Sequence, residues 1–271
     1  MHEAGKDADW RTNRLTTAQF LERQLLNGRR VSPIFKVFGV FIWLFRLDWL
    51  HIADLGVAAD FIGNFFEMVL SKMPGTTREA RAAEIWKEMQ KFYVAGFVAD
   101  RMKSFDCKNF QASGNNPPKL RGTNAASMRA LVPFVKQLAD DYLHDAVPLE
   151  LSAKHCAHHL QQCYQSLSAT SRAMSDDVFL ESSIQFANHY YAMYLARGDG
   201  LNWRVKPKMH LFLELCAEGT SPSLFWCYRD EDFGGTVAKL CRMRGTWKQL
   251  KAYSIHGLDM FMMQNDPPRL V

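Results

Sequence analysis

The sequence predicts a mainly α-helical fold with a small β remnant, two short strands near residues 34–48. Beyond Asp54, apolar residues recur at three- and four-residue intervals in one segment after another, the period of a helix with a buried face. Only Ile34 to Leu47 departs from that pattern, crowding Phe, Val, Ile and Trp on both sides of Gly39.

Taken in order, residues 1–15 are polar, and Thr16 or Thr17 is suited to cap a short helix that Gly28 stops after Asn27. Ser32-Pro33 breaks the pattern, so a strand, a turn near Gly39 and a second strand leading into Asp48 are expected. Helical spacing then covers Ala58 to Met73 and ends at Pro74-Gly75. Thr77 opens a further helix to about Met102, with Ile85, Trp86, Met89, Phe92, Tyr93 and Phe97 on its inner stripe. Residues 105–121 read as a loop around Ser113-Gly114-Asn115-Asn116-Pro117-Pro118. Further helices are expected over 123–145, 149–173, 176–197, 206–217, 231–242 and 245–264. No internal repeat or low-complexity tract interrupts them.

Composition narrows the function classes. The chain has 271 residues, 48% of them hydrophobic, enough to bury a sizeable core. A net charge of +5, spread along the chain without a polybasic block, permits contact with nucleic acid but does not draw a footprint. The six cysteines form no CxxC pair, and the amino terminus is polar rather than a signal peptide. Reduced thiols in a nuclear or cytoplasmic protein are therefore expected. The apolar run Val37 to Phe45 is far shorter than the roughly 20 residues of a membrane span, so no membrane association is expected.

Four clusters have residue types suited to chemistry. Asp48-x-x-His51 closes the predicted second strand, where the carboxylate either holds a divalent cation or caps the following helix. Lys206-Pro207-Lys208-Met209-His210 opens a helix, so Lys206, Lys208 and His210 either contact phosphate or form a solvated helix entry. Glu231 lies among three consecutive carboxylates after the aromatic run Phe225-Trp226, suited to a metal ligand or simply to a helix start. His155, His159 and Cys163 share one helical face at four-residue steps, a spacing zinc accepts, although no second ligand pair stands nearby in sequence. Asp140, Asp141 and Asp145 form a fifth, weaker acidic group at a helix end.

Three of these blocks, in order, resemble those of CACTA (En/Spm-like) cut-and-paste transposases and their domesticated relatives. Asp48-Trp49-Leu50-His51-Ile52-Ala53-Asp54-Leu55-Gly56-Val57 is similar to their Asp-x-Met-His-x-x-x-Leu-Gly-Val block. Lys206 to Leu211 resembles their Lys-Pro-Lys-x-His block, and Trp226 to Gly235 their aromatic-rich Glu-Arg-Phe-Asn-Gly block. The resemblance implies a degenerate RNase H-like core with a large helical insertion. Residues 32–75 and 206–264 would be the core remnant, 76–205 the insertion, and 1–31 a polar segment with a short helix. It also implies an ancestral Asp-Asp-Glu set holding Mg2+ or Mn2+ for in-line attack on a DNA phosphodiester. Asp48 matches the second Asp, His51 completes its signature, and Glu231 matches the third carboxylate.

The departures shape the expectation. Only 47 residues precede Asp48, and Asp7 and Asp9 stand in a polar segment with no strand to carry a first catalytic Asp. Asp232 replaces the block's Arg, and Gly234 its Asn. The expectation is a transposase-derived remnant, partnered by DNA, that does not cleave alone. The alternative is a helical interaction or scaffold protein, bound to another protein or to itself. A third reading is a metal-dependent helical enzyme built on Asp140, Asp141 and Asp145.

Overall fold

The computed structural model describes residues 15–169, 177–228 and 234–235, in a chain that divides into two compact units, Met1–Trp226 and Cys227–Val271. Among the described residues, the buried core lies in the first unit. Its helices are α1 (Thr17–Leu26), α2 (Ala59–Leu70), α3 (Arg78–Ala95), α4 (Ala125–Tyr142), α5 (Pro148–Ala169), α6 (Asp177–Ala196) and α7 (Pro207–Ala217). A π-helical stretch, Leu50–Ala58, runs directly into α2. No helix among the described residues is long and apolar enough to cross a membrane.

The starts of α1 and α3 follow the capping chemistry expected from the sequence, and α4 adds a cap of the same kind. Thr16 forms a reciprocal capping box with Gln19, its Oγ1 accepting the Gln19 N–H at 3.3 Å while Gln19 Oε1 accepts the Thr16 N–H at 2.9 Å. Thr77 accepts the Ala80 N–H at 3.1 Å and Asn124 the Ser127 N–H at 2.8 Å, opening α3 and α4. The predicted end of α3 at Met102 is corrected to Ala95. Gly96 caps the helix and Phe97, at φ 49°, turns the backbone left-handed.

The two strands expected near 34–48 do not form. Their place is taken by short 3-10 turns at Pro33–Lys36 and Ile42–Leu44, and the described residues contain no strand. The physical reason is a missing partner, since an isolated two-stranded hairpin is barely stable in water without a third strand or a packed face. The segment clusters its rings locally instead, with Phe35 5.7 Å from Phe20 and 5.4 Å from Phe45 between centroids. The mainly α class stands; the β remnant does not.

One aromatic-rich core binds the π-helical stretch, α2 and the helices around them. Trp49, Phe61, Phe65, Phe66, Phe134, Phe186 and Phe212 are fully buried. Helices α5 and α6 pack along much of their length, while the π-helical stretch lies against α4 and α7. Asn64 on α2 ties three segments together: its Nδ2 donates to the carbonyls of Asp60 at 2.7 Å and Pro118 at 3.1 Å, and its Oδ1 accepts the Trp203 N–H at 2.8 Å. Trp203 adopts φ 59°, uncommon for a side chain of that bulk, and is held there by this bond and by packing on Phe61 and Tyr190. That constraint aims the next residues, Arg204 to Lys208, across the start of α2.

Candidate nucleic-acid interface

The block from Asp48 to Val57 becomes a helix entry rather than a strand end. Asp48 Oδ2 accepts the backbone N–H of His51 at 3.0 Å and meets its ring Nδ1 at 2.6 Å. Capping and the imidazole contact thus coexist in one carboxylate. Trp49 points the other way, into a cage of Tyr164, Phe179 and Phe212 with centroids 5.3, 5.8 and 5.7 Å away. Asp54 is completely buried and accepts a hydrogen bond from the Tyr164 hydroxyl.

Two lysines from distant segments cap carbonyls of the π-helical stretch. Lys208 Nζ donates to the His51 carbonyl at 2.7 Å, and Lys119 Nζ to the Leu55 carbonyl at 2.8 Å. Gly56 makes room for the first, because a Cβ there would stand 2.7 Å from Lys208 Cδ. One helical turn on, the Asp60 carboxylate pairs with Lys206 Nζ at 2.7 Å and lies 4.0 Å from Lys119 Nζ. Arg204 joins the same face, its guanidinium donating to the Asn115 carbonyl at 3.1 Å. A pocket between these groups is lined by Val57, Asp60, Tyr190, Arg204, Lys206, Lys208 and Met209.

The neighbouring cations bear on the protonation of Lys119. Burial is the largest cause holding Lys119 below the ordinary lysine range. Asp60 opposes that shift, while the charges of Lys206, Lys208 and Arg121 add to it. Burial also pushes the Tyr190 phenol well up, with Asp60 contributing, so Tyr190 stays a neutral donor to the Arg204 carbonyl at 3.3 Å.

Two of the three blocks therefore meet: the Lys-Pro-Lys-x-His segment lies on the helix that Asp48-x-x-His51 opens, with Lys208 and His51 bonded across 157 positions of sequence. His210 is half-buried on α7. Glu231 falls outside the described residues, as do the helices expected over 245–264 and most of 231–242. Among the described residues no cluster of three potential metal ligands includes two carboxylates, the donor type that a magnesium pair requires.

The other candidates separate. Asp140, Asp141 and Asp145 are exposed, and Lys136 and Lys154 pair with the first and last of them. The Lys154 hydrogen bond holds the Asp145 carboxyl below its usual range. The cluster is a solvated helix end whose outer two carboxylates are held by lysines. The expectation that Cys163 shares a ligand face with His155 and His159 is also corrected. Its thiol is buried, approaches the Phe179 carbonyl at 3.9 Å and is pushed well up in pKa by burial. His189 on α6 comes to the two histidines instead. Burial is the main cause lowering the pKa values of His159 and His189.

Sequence reasoning missed Asp60, Lys119, Arg204 and His189. Asp60 carried a usable signal, a carboxylate inside the apolar stretch Ala58 to Phe66 that needs a partner if buried. Lys119 carried none. No protein-family model, curated protein or solved structure matches the chain.

Proposed function

We propose that this chain is a transposase-derived DNA-binding protein whose Lys119, Arg204, Lys206 and Lys208 lie along the phosphodiester backbone, and that it does not cut DNA alone. The observation that carries the reading is the convergence of Lys119, Lys206 and Lys208, from two distant segments, on the helix opened by Asp48-x-x-His51, with Arg204 lining the pocket beside them. Asp60 offsets one of the four charges. Phosphate binding asks for such a set of ammonium and guanidinium donors held on a rigid support. Asp48 and Glu231 match the second and third members of the Mg2+- or Mn2+-binding set that the family resemblance implies.

Duplex binding followed by fluorescence anisotropy over a salt series tests the interface. Each phosphate contact contributes a slope of about 0.9 in log affinity against log salt. Arg204→Gln and Lys208→Gln should each flatten the slope by about 1 and weaken binding to unrelated duplexes alike. Unchanged slopes in both would remove the interface. Incubation of plasmid with Mn2+ should yield no cleavage beyond that of Asp48→Ala. Cleavage abolished by both Asp48→Ala and Glu231→Ala would overturn the inactive reading.

A second reading, a helical interaction protein, is favoured by one observation. Between Leu25 and Phe45 the chain exposes apolar side chains, including Leu26 at 80% and Phe38 at 104% relative exposure. A protein partner or a second copy of the chain covers them in this reading. A monomer by light scattering, unchanged by Phe38→Ser and without apolar dye binding at this segment, would dismiss it.

A further inference from the structure

We propose that His155, His159 and His189 form a site for a borderline-soft divalent transition-metal ion, Zn2+ foremost, which clamps α5 to α6. His155 and His159 stand one turn apart on α5, and the packed neighbour α6 delivers His189 to the same spot. Ring centroids lie 4.5 Å apart for His155 and His189, 6.0 Å for His159 and His189, and 6.3 Å for His155 and His159. The rings are close to parallel, at 20°, 11° and 25°. One nitrogen of each lies within 4.8 Å of the others. Tetrahedral zinc with bonds of about 2.0–2.1 Å sets its nitrogens about 3.4 Å apart, a closure within reach of side-chain rotation.

The surroundings suit a ligand set better than a chance stack of rings. His159 Nδ1 lies 3.1 Å from Gln162 Oε1, which also accepts the Ser182 hydroxyl at 3.1 Å. In the tautomer that donates Nδ1–H to this oxygen, the Nε2 lone pair is left for a metal, the outer-shell arrangement that orients metal-bound histidines. All three donors are imidazoles, which favours Zn2+, Cu2+ or Ni2+ over the oxygen-seeking Mg2+ and Ca2+. The three residues are half-buried, so a fourth position opens to water. This site shares no residue with the basic face.

The full chain, stripped with a chelator and titrated with ZnCl2 by calorimetry, tests the clamp. One zinc per chain is expected, with a rise in melting temperature, since a ligand that binds only the folded state stabilises it. His155→Ala, His159→Ala and His189→Ala should each weaken binding at least about tenfold, and exposed His158→Ala by less than about twofold. Substituted Co2+ should show tetrahedral visible absorption in the parent chain and lose it in His189→Gln, whose fold is checked by circular dichroism. No zinc uptake by the parent chain, or uptake unchanged when all three histidines are replaced, would overturn the proposal.

Discussion

Gly63→Ala is expected to lower stability by about 3 kcal/mol or more, read as the urea midpoint at constant slope, because the added methyl meets backbone and not side chain. A Cβ at Gly63 would stand 2.4 Å from Lys119 Cα, 2.5 Å from Lys119 C and 2.6 Å from Leu120 N. None of these atoms can rotate away. Relief requires α2 and the 117–120 segment to part, which breaks the Leu120 N–H bond to the Ala59 carbonyl at 2.8 Å and the Asn64 bond to Pro118 at 3.1 Å. Alanine's better helix propensity returns only about 1 kcal/mol. The same movement withdraws Lys119 from the Leu55 carbonyl, so DNA affinity should fall with stability. Gly56→Ala is the useful contrast. Its Cβ meets the flexible Lys208 Cδ at 2.7 Å and, less severely, the His51 carbonyl oxygen at 3.1 Å, so it should cost less in stability than Gly63→Ala while displacing Lys208. Equal stability of Gly63→Ala and the parent chain would mean that α2 and this segment do not pack as closely as described.

What could be read in advance divides along physical lines. Helices α1 and α3 announced themselves through Thr16 and Thr77, because capping is a local interaction among residues three apart, whereas the Asn124 cap of α4 came only with the structure. The region 34–48 misled because its composition favours strands, while strand formation depends on partners that no local pattern reveals. The basic face was half legible. Lys206 and Lys208 stood out beside Pro207, but Lys119 lies in an irregular loop, and the close approach at Gly63 and the bonds of Leu120 and Pro118 bring it to α2. His189 was invisible for the same reason, since nothing in α6 alone signals that it will face His155 and His159. Asp60 is intermediate: burial demanded a cation, but the sequence did not say that Lys206 would supply it.

Trp49→Ala is expected to cost about 3–5 kcal/mol, the range for emptying a large aromatic site in a core, whereas Trp49→Phe should cost about 1–2 kcal/mol. The ring is fully buried and its cage is drawn from α5, α6 and α7, so truncation opens a cavity where three helices meet. The indole Nε1 is buried without a hydrogen-bond partner, so phenylalanine keeps much of the packing and removes a desolvated N–H besides. This pair of variants separates architecture from recognition within a single block of sequence. Asp48 and His51 flank Trp49 but face the helix entry, and Lys208 closes on the His51 carbonyl from outside. DNA binding lost in Trp49→Ala should therefore return in Trp49→Phe along with the melting temperature. In Lys208→Gln, binding should weaken while the melting temperature stays close to that of the parent chain. If Trp49→Phe folds as well as the parent but fails to bind DNA, the indole itself recognises the ligand, and its burial among Tyr164, Phe179 and Phe212 cannot be the binding-competent state.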